Sequence, residues 1–126
     1  MSITYQVKVD ELGTQHWYLN GKRHREDGPA VIWPDRSQSW YLDGNLHRED
    51  GPAIVYAGGS QFWYLNGKFH REGGPAIVYA DGSQFWYLDG VKYTEEEWKQ
   101  KLNPVKEMTV NEISKLLGYE VKIVKG

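Results

Sequence analysis

Histidine, arginine and acidic residues recur together along the chain at one fixed spacing. The sequence His-Arg-Glu-Asp-Gly-Pro-Ala occupies residues 24–30 and 47–53, and His-Arg-Glu-Gly-Gly-Pro-Ala occupies residues 70–76. Histidine and carboxylate side chains can ligate metal ions, and arginines can bind anions through forked, charge-assisted hydrogen bonds. These three segments therefore hold the side chains best suited to chemistry.

A shared metal site among His24, His47 and His70 is disfavoured by their spacing. If each repeat adds two strands to a sheet, equivalent histidines lie about 9–10 Å apart. Zinc holds its nitrogen ligands at about 2.0–2.1 Å, so side chains at that separation converge poorly on one ion. We therefore predict no metal site and no cofactor.

Arg25, Arg48 and Arg71 allow two interpretations. In the first, each histidine and arginine bonds the turn of its own repeat or a nearby carboxylate. In the second, the arginines form a basic row that binds a small anionic ligand, such as a nucleotide signal, or an acidic partner surface. The carboxylates that would neutralise such a row are Glu26, Asp27, Glu49, Asp50 and Glu72.

Catalysis finds little support in the sequence. The chain has no nucleophile elbow, no phosphate-binding glycine loop before a helix and no His-Glu pair at helical spacing. A Glu/His pair taken from the repeats would exist in three near-identical copies, whereas an active site is normally one asymmetric group of residues. We therefore predict a non-enzymatic protein.

The elements that position these side chains are repeats of 23 residues. The pentapeptide Trp-Tyr-Leu-Asn/Asp-Gly begins at Trp17, Trp40, Trp63 and Trp86. Self-similarity at such a period predicts a repeat architecture in which each unit buries its apolar surface against its neighbours. Each unit offers two strands rich in β-branched and aromatic residues, and residues 4–9 alternate in polarity as a first strand does.

Alternation along a strand places Trp and Leu of each pentapeptide on one face, which we predict to be the core. The tyrosine ladder then stands on the opposite face; its members are Tyr18, Tyr41, Tyr64 and Tyr87. Tyrosine is enriched at binding hot spots, so a bare ladder would be the binding site. Alternatively, residues 91–126 fold over this face. Partner-binding candidates are thus the four tyrosines, the three arginines and the three histidines.

Turn residues punctuate the repeats. Gly58-Gly59 and Asp81-Gly82 favour two-residue hairpin turns, in which both residues have positive φ. Arg36 stands at the equivalent position of an earlier repeat, where its Cβ makes positive φ costly, so we expect a longer turn or one of another type. Residues 22–28 and their equivalents fit either loops or short strands.

The repeat sequence stops after residue 90, and we predict an α/β cap over residues 91–126. Thr94 and Glu97 form a capping box for a helix that ends near Leu102. Thr109 and Glu112 form another, and a final strand is predicted over residues 119–124.

Composition indicates an ordinary single domain with an excess of aromatic residues. The chain has 126 residues, 14% aromatic, and 15 Lys+Arg against 17 Asp+Glu, a net charge of -2. This balance argues against nucleic acid as a partner. The chain has no cysteine, no secretory leader pattern and no apolar run of about 20 residues, so we expect a cytoplasmic protein with no membrane contact. We expect a monomer or small homo-oligomer.

The repeat resembles MORN-type repeats, and resembles more closely the variant found in small proteins of bacteriophages and mobile elements. The resemblance covers residues 12–90 and is carried by Trp-Tyr-Leu-Asn-Gly-Lys-x-His-Arg-Glu-Asp-Gly-Pro-Ala. It implies a single elongated antiparallel β-sheet of four repeats (residues 1–90) that acts as a recognition surface.

The resemblance also implies a function. We expect a phage-encoded inhibitor of the anti-CRISPR or a similar anti-defence type, which blocks a bacterial host protein or defence complex by protein–protein contact in the host cytoplasm. The alternatives are an antitoxin or immunity protein and a binder of a small anionic ligand.

Overall fold

The structure, a computed structural model, describes residues 4–104, 109–120 and 122. Short strands dominate these residues, and two helices follow them. The strands are β1 (Gln6–Val9), β2 (Gln15–Leu19), β3 (Lys22–Arg23), β4 (Val31–Ile32), β5 (Gln38–Ser39), β6 (Tyr41–Leu42), β7 (Asn45–Leu46), β8 (Ile54–Val55), β9 (Gln61–Phe62), β10 (Tyr64–Leu65), β11 (Lys68–Phe69), β12 (Ile77–Val78), β13 (Gln84–Leu88) and β14 (Val91–Tyr93). The helices are α1 (Glu95–Leu102) and α2 (Val110–Leu117).

A 10-stranded antiparallel sheet runs in the order β1-β2-β4-β5-β8-β9-β12-β13-β14, with β3 paired to β2. The hairpins β6–β7 and β10–β11 are two-stranded pairs. Backbone hydrogen bonds such as Gly44 N–H to Arg23 O (2.8 Å) join these hairpins to the neighbouring repeats. The prediction of a mainly β antiparallel architecture with two short helices near the C-terminus is confirmed, and the sheet is not closed into a barrel.

Two kinds of tight turn alternate along the sheet. The first joins β2 to β3: Asn20 and Gly21 both have positive φ (53° and 78°), and Leu19 pairs with Lys22. This is the two-residue geometry that Asn-Gly and Asp-Gly favour. The same turn recurs in the other repeats, so the residues that follow it form the short strands β3, β7, β11 and β14 rather than loops.

The second kind of turn spans residues 80–82 and is longer than the predicted two-residue turn. Tyr79 N–H donates to Ser83 O (2.9 Å), Gly82 N–H donates to Tyr79 O (2.9 Å), and Gly82 alone of these residues has positive φ (91°). A type I turn followed by one left-handed residue produces this pattern. Only one position of the turn therefore favours glycine.

Arg36 occupies that left-handed position in the equivalent turn between β4 and β5. Its φ is 75°, and the turn closes with the same pair of bonds, Trp33 N–H to Ser37 O (3.0 Å) and Arg36 N–H to Trp33 O (2.9 Å). The turn is longer than two residues, as predicted, but the turns at Gly59 and Gly82 have the same form, and Arg36 adopts positive φ all the same. The register of the flanking strands outweighs the strain at this one residue. Asp35 Oδ1 also accepts from Ser37 N–H (2.8 Å), and this bond lowers the pKa of Asp35.

The buried core is small and lies along one row of residues. Ala30, Ala53 and Ala76 are fully enclosed, and Val31 and Ile77 lie beside them. The tryptophans and leucines of the pentapeptides are only half-buried, which differs from the prediction that they form the core. A single sheet has no second layer, so large side chains are covered only by their neighbours on the same face.

Helix α1 begins and packs as its sequence suggests. Thr94 Oγ1 accepts from Glu97 N–H (3.2 Å), and a Glu97 carboxylate oxygen accepts from Thr94 N–H (3.4 Å), which confirms the predicted capping box. Trp98 is buried, and its Nε1–H donates to Arg71 O (2.9 Å). The helix packs against β13 and β14. Because β14 covers Val91–Tyr93, the sheet extends past the predicted boundary at residue 90.

Helix α2 has the second predicted capping box, between Thr109 and Glu112, and ends at Gly118 with φ 75°. Leu116 and Leu117 of this helix are exposed. The predicted final strand over residues 119–124 lies mostly outside the described residues. Within the described residues no helix is long and apolar enough to cross a membrane.

Candidate functional site

Each repeated histidine bonds the next repeat along the chain. Nδ1 of His24 accepts from the backbone N–H of Asp43 (2.9 Å), and Nδ1 of His47 accepts from that of Asn66 (3.0 Å). His70 does the same with Asp89 (3.0 Å). The acceptor role requires an unprotonated Nδ1, so the proton of the neutral ring lies on Nε2. The histidine side chains are largely enclosed, and they tie successive two-residue turns together.

The repeated arginines lie flat against tryptophan rings. The guanidinium carbon is 4.2 Å from the ring centre in the Arg25–Trp17 pair, 3.9 Å in the Arg48–Trp40 pair and 3.8 Å in the Arg71–Trp63 pair. We call the side of the sheet that carries Trp17, Trp40, Trp63 and Trp86 the Trp face. Stacked cations cover the first three of these rings, so this face of the sheet is partly closed by its own side chains.

Glycine makes room for each stacked arginine. A Cβ built on Gly51 would lie 2.9 Å from the guanidinium carbon of Arg48, and the equivalent positions of the other two repeats are similarly tight. The guanidinium also donates through Nη1 to Pro52 O (3.1 Å) and through Nε to Asp50 Oδ1 (2.9 Å). The repeats therefore share this spacing of arginine, aspartate, glycine and proline because these residues hold the arginine against the tryptophan.

A groove of about 730 Å³ runs between the first two of these segments on the Trp face. Its walls carry Arg25 and Arg48, and the carboxylates around them are Glu26, Asp27, Glu49 and Asp50. Both arginines already pair with an aspartate, so the groove offers no free cationic row to an anion. Within the described residues no group of three or more His, Asp and Glu side chains could hold a metal ion.

The opposite side of the sheet carries the tyrosine ladder and further aromatic rings. We call it the aromatic face; its members are Tyr18, Tyr41, Tyr56, Phe62, Tyr64, Phe69, Tyr79, Phe85 and Tyr87. Cross-strand pairing places Ile77 opposite both Phe62 and Phe85, which brings two repeats together on this face. Within residues 4–104, 109–120 and 122 nothing buries these rings completely: the tyrosine ladder is half-buried, and Tyr56 and Tyr79 are 47% and 40% exposed.

The rings of the third and fourth repeats touch one another in a continuous network. Phe69 lies between the ladder members Tyr64 (4.3 Å between ring centres) and Tyr87 (5.0 Å). Phe62 contacts Phe69 (6.2 Å) and meets Tyr79 edge to face (5.7 Å). Such contacts fix the rings without covering them, because each ring is held by its neighbours within the same layer.

Cations lie over three rings of the aromatic face. Lys8 lies over Tyr18 (5.3 Å from the ring centre), Arg23 over Tyr41 (5.8 Å), and Lys92 over Phe85 (4.5 Å). This face therefore combines exposed apolar area with positive charge, with Lys8 and Lys92 on its two end strands and Arg23 between Tyr18 and Tyr41. The carboxylates of the repeated segments instead surround the groove on the Trp face.

Burial raises the pKa of the Tyr64 hydroxyl above its usual 10.0, and the neighbouring phenols Tyr56, Tyr41, Tyr79 and Tyr87 raise it further. The cause is that a phenolate at the centre of the aromatic face would lose hydration and face other phenols that can ionise. Tyr64 therefore stays neutral, with its hydroxyl able to donate and accept hydrogen bonds.

Sequence reasoning found the tyrosine ladder but missed a second exposed row. Trp33, Tyr56 and Tyr79 are 37%, 47% and 40% exposed and stand at the same 23-residue step. The step itself was the available signal, since equivalent positions in a repeat fall in one row. The row was missed because these residues end predicted core strands.

No protein-family model matches the chain, and no curated protein sequence or solved structure matches it. The functional argument therefore rests on the surfaces described above.

Proposed function

We propose that the protein is a non-enzymatic binding protein that attaches to a partner protein through the aromatic face. The observation that carries the proposal is the ring network, in which rings held by one another at 4.3–6.2 Å present their outer surfaces to solvent. Tyrosine and other aromatic side chains supply large contact area at low entropic cost, and they dominate binding hot spots.

The rigidity of this network supports binding. Phe69 is in contact with Tyr64 and Tyr87 at once, so neither tyrosine has to be ordered when a partner arrives. Pre-ordered side chains bind more tightly because less conformational entropy is lost on association. Extended exposed aromatic surface of this kind is also unusual on a protein with no partner.

The Trp face supports the proposal by contrast. Its histidines accept backbone hydrogen bonds, and Arg25 and Arg48 are stacked and paired with aspartates. A partner that binds these four side chains (His24, His47, Arg25 and Arg48) would have to compete with contacts that hold the repeats together. The aromatic face is available without such competition.

We place the protein in the class of inhibitors that block a bacterial host protein or defence complex by covering its surface. The support for this finer assignment is the repeat's resemblance to small phage and mobile-element proteins, together with a binding face that lacks chemistry of its own. A single sheet that occupies a target surface needs no active site to inhibit.

The test is a pull-down from bacterial lysate with matched variants. The double variant Tyr56→Glu/Tyr79→Glu places charge on the aromatic face at exposed positions, and Val7→Glu/Val9→Glu does the same on the other side of the sheet, where both valines are exposed. We expect a stoichiometric protein to be retained by the wild type and the valine variant and lost by the tyrosine variant. Thermal melts establish that both variants fold.

Loss of the protein from the valine variant alone would overturn the proposal. If the retained protein is an enzyme or defence complex, its activity should fall when the wild type is added and recover with the tyrosine variant. A retained toxin encoded beside this gene would instead identify an antitoxin.

A further inference from the structure

The third repeat holds its arginine like the first two but lacks one partner. Arg71 stacks on Trp63 and donates through Nη1 to Pro75 O (3.1 Å), just as Arg48 stacks on Trp40 and donates to Pro52 O (3.1 Å). The guanidinium is thus held in the same place in both repeats.

The difference lies at Nε. Arg25 Nε–H donates to Asp27 (3.1 Å) and Arg48 Nε–H donates to Asp50 (2.9 Å), but Gly73 stands where the third repeat would have its aspartate. Among the described residues no carboxylate pairs with Arg71. Its pKa is lowered by burial, with no acidic group to oppose the effect.

Open space remains where the aspartate would stand. A Cβ built on Gly73 meets nothing within 4 Å, and its φ lies outside the range that excludes side chains. On the other side, a Cβ on Gly74 would lie 3.0 Å from the guanidinium carbon, so the cation is packed against the backbone. The result is an Nε–H donor held in place by its stack, beside open space at Gly73.

We infer that Arg71 Nε–H and the open space at Gly73 form a binding site for a carboxylate group. The first two repeats show the geometry, since Asp27 and Asp50 supply that carboxylate from within the chain. A charge-assisted hydrogen bond to a stacked, partly dehydrated guanidinium is stronger than one to a mobile surface arginine. The ligand is an acidic side chain of another protein or a free carboxylate. The site lies on the Trp face, so it is separate from the proposed binding surface.

The chain supplies its own control variants. Gly73→Asp gives residues 70–76 the sequence of residues 24–30 and 47–53, and Asp50→Gly gives residues 47–53 the sequence of residues 70–76. Each variant copies a segment that another repeat of this sheet already contains. The readout is the side-chain Nε–Hε resonance of each arginine by ¹⁵N-edited NMR on the full chain.

Acetate and an aspartate residue blocked at both ends are the probes. In the wild type, we expect the Arg71 resonance to shift with added probe while those of Arg25 and Arg48 stay in place. Gly73→Asp should weaken probe binding at Arg71 about tenfold or more, because the new carboxylate occupies the donor. Asp50→Gly should create a second responding resonance at Arg48.

The two probes separate the sources of the carboxylate. Binding of the blocked aspartate at least as tight as that of acetate favours a side chain of another protein, and binding of acetate alone favours a free small carboxylate. The inference is overturned if Arg71 fails to respond to either probe, if all three arginines respond alike, or if Gly73→Asp leaves the response unchanged.

Discussion

His47 Nδ1 accepts a hydrogen bond from the backbone N–H of Asn66, 3.0 Å away and one turn further along the sheet. The bond crosses from one repeat to the next, and His24 and His70 make the same bond in their own repeats. Each of these bonds joins residues that are 19 positions apart, so it connects one repeat to the next. These histidine bonds between the turns of successive repeats help to fix the strand register of a sheet that has only a small core.

The first prediction concerns that bond. His47→Ala should lower the free energy of unfolding by about 0.5–1.5 kcal/mol, because the N–H of Asn66 loses its acceptor at an exposed position where water replaces it in part. His47→Asn places an amide oxygen near the position of Nδ1 and should recover part of the loss. Urea denaturation of the three proteins measures this order. Equal stability of the alanine variant and the wild type would show that the bond contributes nothing.

The second prediction concerns the arginine stack. Gly51→Ala should be less stable than Gly58→Ala by about 0.5–1 kcal/mol, because the new Cβ lies 2.9 Å from the guanidinium carbon of Arg48 and pushes this flexible side chain off Trp40. Gly58→Ala is the matched control, since a Cβ there meets nothing within 4 Å. The control should be neutral or stabilising by up to about 1 kcal/mol through the unfolded chain. Thermal denaturation compares the two variants, and equal stability of Gly51→Ala and Gly58→Ala would contradict the close packing.

The third prediction concerns backbone strain at Arg36. Its φ of 75° is the left-handed region, which costs a residue with a Cβ about 1–2 kcal/mol. Arg36→Gly removes this strain but adds freedom to the unfolded chain, so a net gain of about 0.5–1 kcal/mol is expected. Arg36→Ala retains the Cβ and should show no such gain. Chemical denaturation decides, and equal effects of the two substitutions would exclude strain as the cause.

The sequence predicts those parts of the structure that depend on residues close together in the chain. The capping box of Thr94 and Glu97 spans one helical turn, and the Asn20-Gly21 turn is set by its own two residues, so both are readable locally. Arg36 misleads because strands outside the turn impose its conformation. Local reasoning could place His47 at a turn, but it could not select the N–H of Asn66 without the strand register.

The same limit applies to the candidate site. Alternation along one strand places the side chains of Tyr64 and Trp63 on opposite faces of the sheet, and the sequence alone predicts this. The ring network through Phe69 was not, because Phe69 joins the face only when the residues after Gly67 form β11 rather than a loop. The sequence did not decide whether the residues after Gly67 form a strand or a loop. The predicted binding surface therefore lacked Phe69, which belongs to that strand.

The fourth prediction concerns Tyr64 in alkaline solution. Its pKa is raised above 10.0 by burial and by neighbouring phenols, so the folded state favours the neutral phenol. The contribution to stability is fully present below the unfolded pKa of about 10 and is lost as pH rises through the folded value. Tyr64→Phe should therefore lose less stability than the wild type as the pH is raised above about 10.

Ultraviolet titration of phenolate absorbance checks the same point directly. Tyr64→Phe should remove a late-titrating component from the folded protein, because the substitution deletes a phenol whose ionisation is delayed by burial at the centre of the aromatic face. The control is titration in concentrated denaturant, where that delay should vanish because the rings are separated. A folded-state curve that loses an early component instead would contradict the raised pKa of Tyr64.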